Sequence, residues 1–537
     1  MVSEVLNNTT FKSTYTYDSD KKLTELQDAL NYKVGYGYDG FGRLSSKTFK
    51  TSLGATLFTT SYTYTGYTEL GVNYTSAQLA SITNGSSTIS YTYDANGNIT
   101  AITQGSTVIA YVYDDLGQVV RENNARDNKT IIYDYDLAGN ILSRTTYTYT
   151  TGSLDGLTPL STLTYSYGNS VWKDQLTAFN GNAITYDDLG NPLSYNGMTF
   201  TWEKGRQLSG LSDTNLSASY TYNDAGIRTS KTVNNVTTTY QLSGDKVTAE
   251  ITGNQIIYYT YDASGQVVTM NANGVEYYYV RNGQNDVIAL VDNTGAIVVE
   301  YTYSTYGEVL TVTGSLASTI GALNPYRYRG YRYDNESGLY YLQSRYYNPV
   351  WGRFINADEP GIISSLSDDL LQTNIYSYGK NNPIKNIDPS GYWVIGPFGS
   401  EATIVIGFVG LFAAAYAMFS GVKSFLTLNS PKQIEYNLIY MIGAGMFVGL
   451  STSFVLWLQT IISDYSVYIY AIIVGANIAM YSLAGGPIGG AIWSFIFGSL
   501  LSFAPDIKTS LKMINSGKNG KSYKLDIGWW RWKWLPV

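Results

Sequence analysis

Two residue types are missing from this 537-residue chain altogether: it has no Cys and no His. Without Cys there is no disulfide framework and no thiol nucleophile. Without His, a Ser-His-Asp triad, a His-based nuclease centre and a His-ligated zinc site cannot exist within the chain. Charge is scarce as well. Only 14% of residues are charged, and a net charge of −7 supplies no basic field for nucleic acid. No metal, no cofactor and no nucleic-acid partner is expected. The start, "MVSEVLNNTTFKSTYTYD", lacks a basic segment followed by an apolar one. Export by a route other than an ordinary signal peptide is expected, or a chain that is the end of a longer one.

Tyr is the abundant residue, with 52 copies against 17 Phe and 10 Trp, and Gly reaches 53. The Tyr residues recur in a pattern, Tyr-x-Tyr-Asp-x-x-Gly-x-aliphatic. Examples are "YGYDGFGRL" from Tyr36, "YTYDANGNI" from Tyr91, "YVYDDLGQV" from Tyr111, "YDYDLAGNI" from Tyr133 and "YTYDASGQV" from Tyr259. Adjacent copies are spaced by 20 to 22 residues, which is the mark of a repeat architecture. Tyr-x-Tyr alternation predicts a strand with both rings on one face. Asp followed three residues later by Gly predicts a type I turn, with the Gly at positive φ. Each unit is then a β-hairpin. A lone hairpin cannot bury its face, so neighbours must add edge to edge into one long sheet. The rings are accounted for by sheet packing, with no separate signal for a sugar site.

From Asn324 the repeat changes character, and from Trp393 the composition breaks. Residues 393–505 hold five formal charges: Glu401, Lys423, Lys432, Glu435 and Asp464. "YRGYRYDNESGLYYLQSRYYNPVWGRFINADEPG" (Tyr328 to Gly361) and "NNPIKNIDPSG" (Asn381 to Gly391) resemble the Rhs repeat-associated core of the Rhs/YD-repeat proteins. The resemblance covers residues 11–392 and stops at the tail. It implies a mainly β repeat ribbon, YD hairpins spiralling into a shell (1–323), plugged by the core (324–392). The chain after Asp-Pro-x-Gly would be a variable cargo, commonly a toxin.

Many members of that family cut their own chain after Asp-Pro-x-Gly-Leu by an aspartyl mechanism. One carboxylate activates water and a protonated partner donates to the carbonyl. Carried over, the catalytic candidates are Asp388 in "DPSG" and Asp358 in "NADEPG", with Arg353 near Asp358. Cleavage is expected at the Tyr392–Trp393 bond. Tyr392 stands where the family usually has Leu, and no Asp follows in the first residues of the tail. The other reading of Asp388-Pro389-Ser390-Gly391 is a tight turn and nothing more.

Four apolar stretches, 402–420, 436–458, 466–484 and 487–504, are each near the length that spans a bilayer. None carries an ionisable side chain at mid-span, so no ion relay is suggested. An all-α, membrane-spanning region (393–505) is expected. Gly486, Gly490, Ser494, Gly498 and Ser502 recur every four positions, the small-residue ridge of helices packed in lipid. The basic, Trp-rich end (506–537) closes with "GWWRWKWLPV", which suits a membrane interface. The implied function is a secreted or cell-surface polymorphic toxin whose shell delivers a membrane-inserting, pore-forming tail. Its expected partners are the target-cell membrane, a cognate immunity protein and further N-terminal repeats of a longer chain. Enzymatic activity would be self-cleavage at most, with a non-enzymatic tail. The alternatives are an adhesion protein anchored by its C-terminal helices and a nonfunctional duplicated tip of a larger gene.

Overall fold

A computed structural model of the chain describes residues 2–6, 9–69, 72–358, 371, 373–392, 394, 523–528 and 531–536. Residues 1–399 make one compact unit and 400–537 another. Within the first, 29 strands run from Val2–Leu6 to Val309–Thr313 in a single sheet. Each strand pairs antiparallel with the next in sequence: Thr107–Tyr113 with Val119–Asn124, then Val119–Asn124 with Lys129–Tyr135. The continuous ribbon predicted from the repeats is what forms.

One unit shows why. Asp114 Oδ1 accepts the backbone N–H of Leu116 (3.0 Å) and of Gln118 (2.8 Å), and Gly117 turns the corner at φ +78°. The register slips by one residue between Val112 and Tyr113, a bulge that recurs at Tyr93, Tyr135, Tyr222 and Tyr261. Such a bulge adds local twist, so its repetition curls the ribbon. The two Tyr residues then divide the work. The first (Tyr91, Tyr111, Tyr133) is buried on the inner face. The second reaches back one repeat: the Tyr113 hydroxyl donates to the Ile99 carbonyl (2.6 Å), and Tyr135 to Val119 (2.8 Å). The aliphatic residue after each Gly therefore offers its side chain to the core and its carbonyl to the next repeat.

The ribbon returns on itself. Tyr15 donates to the Tyr261 carbonyl (2.8 Å), and Phe49 stacks on Tyr278 with ring centroids 4.6 Å apart. Around 324–392 the chain leaves the ribbon for four short strands: Arg332–Asp334, Leu339–Tyr341, Tyr346–Asn348 and Arg353–Phe354. Their Tyr340, Tyr347 and Phe354 are fully buried, and Trp351 and Tyr341 share a core with the ribbon's Tyr133, Ile141 and Tyr220. In the second unit, Tyr523–Gly528 and Arg531–Pro536 form an antiparallel hairpin. The four apolar stretches lie outside the described residues. Among the described residues, no helix is long and apolar enough to cross a membrane.

Candidate active site

Past Lys385, whose Nζ donates to the Asn96 carbonyl of the ribbon (2.8 Å), comes Asp388-Pro389-Ser390-Gly391. Asp388 is fully buried. Its N–H donates to the Tyr331 hydroxyl (3.0 Å), and its Oδ1 accepts the Gly391 N–H (2.8 Å), closing a side-chain-capped turn. The Ser390 carbonyl accepts both the N–H (3.1 Å) and the hydroxyl (2.7 Å) of Ser344. Gly391 sits at φ +77°, and a Cβ there would lie 2.6 Å from Ser344 Oγ and 3.0 Å from the Leu342 carbonyl. Only glycine fits.

One side chain joins these parts. Arg345, immediately before the strand Tyr346–Asn348, is 5% exposed. Its Nη2 lies 2.8 Å from Asp358 Oδ2 and 3.1 Å from Asp388 Oδ2. Its Nη1 donates to the Ile375 carbonyl (3.1 Å) and its Nε to the Gly391 carbonyl. The guanidinium lies over the Phe354 ring, 3.5 Å from its centroid. Burial pulls this guanidinium below the usual arginine range, and the carboxylates of Asp358 and Asp388 push back. Arginine stays charged in proteins all the same. The cluster is thus a fixed cation with two carboxylates on one nitrogen and a main-chain carbonyl on another.

The structure brings Asp358 and Asp388 together, as two carboxylates in one site, but Arg353 goes elsewhere. Its Nη1 donates to the Tyr167 hydroxyl (2.5 Å) and its Nη2 to the Asp174 carbonyl (2.6 Å), riveting the plug to the ribbon. Arg353 precedes Asp358 closely in sequence, yet Arg345 is the arginine that meets it in space, because the chain doubles back through the strand Arg353–Phe354. The sequence reading missed Arg345, and nothing in its spacing separates it from its neighbours. Tyr392 is 44% exposed. Trp393 lies outside the described residues, as do Gly486, Gly490, Ser494 and Gly498.

The plug is held to the ribbon by a row of amides. Asn382 Nδ2 donates to Asn98 Oδ1 (3.0 Å) and the Gly117 carbonyl (2.8 Å). Asn381 does the same to Gln118 Oε1 (2.8 Å) and the Gly139 carbonyl (2.6 Å), and Asn374 to Asn140 Oδ1 (2.8 Å). Asn98, Gln118 and Asn140 occupy one repeat position, directly after the turn glycine, and each also donates to its own turn Asp. A deeper anchor is Arg228, which holds Asp334 through two bonds of 2.6 and 2.9 Å with both side chains buried. Arg228 stands where the repeat calls for an aliphatic residue, a signal that was present in the sequence.

The Teneurin YD-shell family model matches residues 153–384. The chain is 36% identical over 287 residues to the tRNA3(Ser)-specific nuclease WapA of Bacillus spizizenii, covering 52% of this chain and 12% of that protein. It is 38% identical over 84 residues to the toxin protein Tse5 of Pseudomonas aeruginosa, covering 15% of this chain and 6% of Tse5. The chain therefore spans a small fraction of the length of these relatives. The crystal structure of TcdB2-TccC3-TEV superposes with a TM-score of 0.51 at 19% identity, over 71% of this chain and 21% of that one. This last likeness is one of fold.

Proposed function

We propose that this chain, an Rhs/YD-repeat protein, is part of a polymorphic toxin that releases its tail by self-cleavage at the end of the core. The observation that carries the reading is the Asp358–Arg345–Asp388 cluster, buried at the point where composition changes from ribbon to apolar tail. In the proposed reaction, one of the two carboxylates activates water and the other, protonated, serves as acid, the division of roles that the family resemblance implies. Arg345 fixes both. Toxins stand among the relatives, and a cargo beyond the core is what the family resemblance implies.

The tail is proposed to enter a target membrane and to dissipate its potential. Residues 393–505 carry five charges and four bilayer-length apolar stretches. The WapA relatives are named for tRNA cleavage. Residues 393–505 offer almost none of the clustered polar residues an enzymatic toxin would need, and we read the cargo as a different one. Apolar stretches of this length aggregate in water unless they are shielded until delivery. A cognate immunity protein and a secreted or cell-surface location belong to this proposal.

Two measurements test it. The purified chain should run as two fragments on a denaturing gel, and Asp388→Asn should leave one. A single full-length wild-type band at neutral pH counts against self-cleavage. Inducible expression with and without an export signal should depolarise cells in one arm. The Gly490→Ile/Gly498→Ile double variant should insert without depolarising, since bulk on the ridge holds helices apart in lipid. Full depolarisation by that variant would remove the assembly argument.

A further inference from the structure

One unit of the ribbon departs from the repeat at two adjacent positions. Where Tyr259-Thr260-Tyr261-Asp262 has its second Tyr and its turn Asp, Tyr279-Val280-Arg281-Asn282 has Arg and Asn. Arg281 still makes the staple. Its Nη2 donates to the Val267 carbonyl (2.9 Å), 14 residues back, as the Tyr261 hydroxyl does to the Val247 carbonyl (2.7 Å). A neutral hydroxyl serves that purpose elsewhere in the ribbon, so the staple does not need a charge.

No carboxylate contacts that charge. Arg228, Arg329 and Arg332 each meet one: Asp334, Asp286 and Glu250. Among the described residues Arg281 makes no ion pair. Its Nη1 donates to the Asn285 carbonyl (2.9 Å), and the Tyr279 ring lies 5.8 Å from its guanidinium carbon. Burial lowers its pKa and Asp262 opposes that from a distance, yet the guanidinium stays charged. Asp262 itself is engaged, with its Oδ2 3.2 Å from Lys47 Nζ.

Lys47 and Arg281 line one cavity of about 20 Å³, walled by Phe49, Val267 and Val268. That is room for a single particle near the size of a water molecule. The cavity lies where the ribbon returns on itself. Lys47 and Phe49 belong to the strand Leu44–Lys50, Val267 and Val268 to Val267–Ala272, and Arg281 ends the strand Val275–Arg281. Two cations against one carboxylate leave one positive charge in excess. Apolar walls strengthen its field and make it costly to leave unmatched.

We propose that this cavity is an anion site. One small monovalent anion, of the class of chloride, sits between Lys47 Nζ and the Arg281 guanidinium and joins the early strands of the ribbon to the late ones. Phosphate and sulfate are too large for the volume. A water molecule would fill the space but leave the charge unmatched.

Crystals of the full chain grown in sodium bromide test the site directly, since bromide replaces chloride and scatters anomalously. An anomalous peak is expected in the cavity, between the two cations. In solution, the urea midpoint should rise as chloride replaces gluconate at constant ionic strength, and the rise should saturate. Arg281→Tyr restores the residue of the repeat, keeps a donor for the Val267 carbonyl and leaves Lys47 matched by Asp262. It should abolish the chloride dependence. Asp262→Asn keeps the oxygen that caps the turn at Ser264 and Gln266 but leaves Lys47 unmatched. It should lower the half-saturating chloride concentration several-fold. A merely structural role for these residues would not move that dependence in opposite directions. A cavity without a bromide peak, or a wild-type midpoint indifferent to chloride, overturns the site. An unchanged chloride dependence in Arg281→Tyr overturns the part given to Arg281. If that variant does not fold, wild type and Asp262→Asn decide the matter.

Discussion

The ribbon and the plug solve the same problem, burying polar tyrosine-rich chain, by opposite means. The ribbon uses neutral bonds of short range. Tyr113 reaches Ile99 and Tyr135 reaches Val119, each one repeat back. The plug uses charge at long range. Arg228 meets Asp334, Arg329 meets Asp286, and Arg332 meets Glu250, all with little exposure. A neutral hydrogen bond adds about 1 kcal/mol and its loss is absorbed locally. A buried charge left without its partner is not absorbed. The ribbon should therefore degrade by increments and the plug by single failures.

The sharpest way to break this contrast is Asp334→Asn. It leaves the Arg228 guanidinium buried beside Lys231, and should cost about 3–5 kcal/mol. Replacing both partners, Arg228→Met with Asp334→Leu, should recover most of that loss. Urea unfolding followed by near-ultraviolet circular dichroism would compare the two. A single variant that costs no more than the double one would show that the charge pair is not the anchor.

The next effect lies where the ribbon meets its own return. Burial first, and the facing Glu276 carboxyl second, push Asp28 up to about 9, and burial raises Glu276 also. Unfolded, Asp28 would titrate near about 3.9. Between these values the folded chain holds a proton that the unfolded chain has released. Stability is then fully present below the lower value and is lost as pH rises towards about 9, by at most about 1.4 kcal/mol per unit. Tyr32 and Tyr278 face the pair across the same seam. Asp28→Asn should flatten the slope in stability measured from pH 5 to 9. An unchanged slope would place the titrating group elsewhere.

Smaller changes sharpen the comparison. Asn382→Ala leaves the Asn98 amide oxygen and the Gly117 carbonyl without their plug donor, and should cost about 1–3 kcal/mol. Hydrogen exchange should then rise at residues 94–118 in particular. Tyr113→Phe removes one staple and nothing else, for about 0.5–1.5 kcal/mol. Exchange should rise locally, with no effect on the plug. If it also freed the plug, the ribbon would be less modular than its bonding suggests.

How much could be read beforehand differs between the same two regions. The Tyr-x-Tyr-Asp turn, its glycine and the meander were legible because each bond closes within about twenty residues, and the repeat restates it many times. Two plug contacts left marks that went unused: Arg228 in an aliphatic position, and the amides of Asn98, Gln118 and Asn140 after successive turn glycines. Arg345 left none. Its role depends on the fold-back of four short strands, and Arg353 was the better candidate by proximity in the chain.

The sequence by itself determined the ribbon, its period and the place where its composition ends, because strand alternation and turn chemistry are local. It also determined that no His or Cys chemistry can operate here. Only the tertiary structure decided which arginine stands between Asp358 and Asp388, and which carbonyl that arginine holds. The physical reason is range. Those groups are brought together across 43 residues from Arg345 to Asp388, by burial of Tyr340, Tyr347 and Phe354 around them. Such packing has no period for a sequence to display.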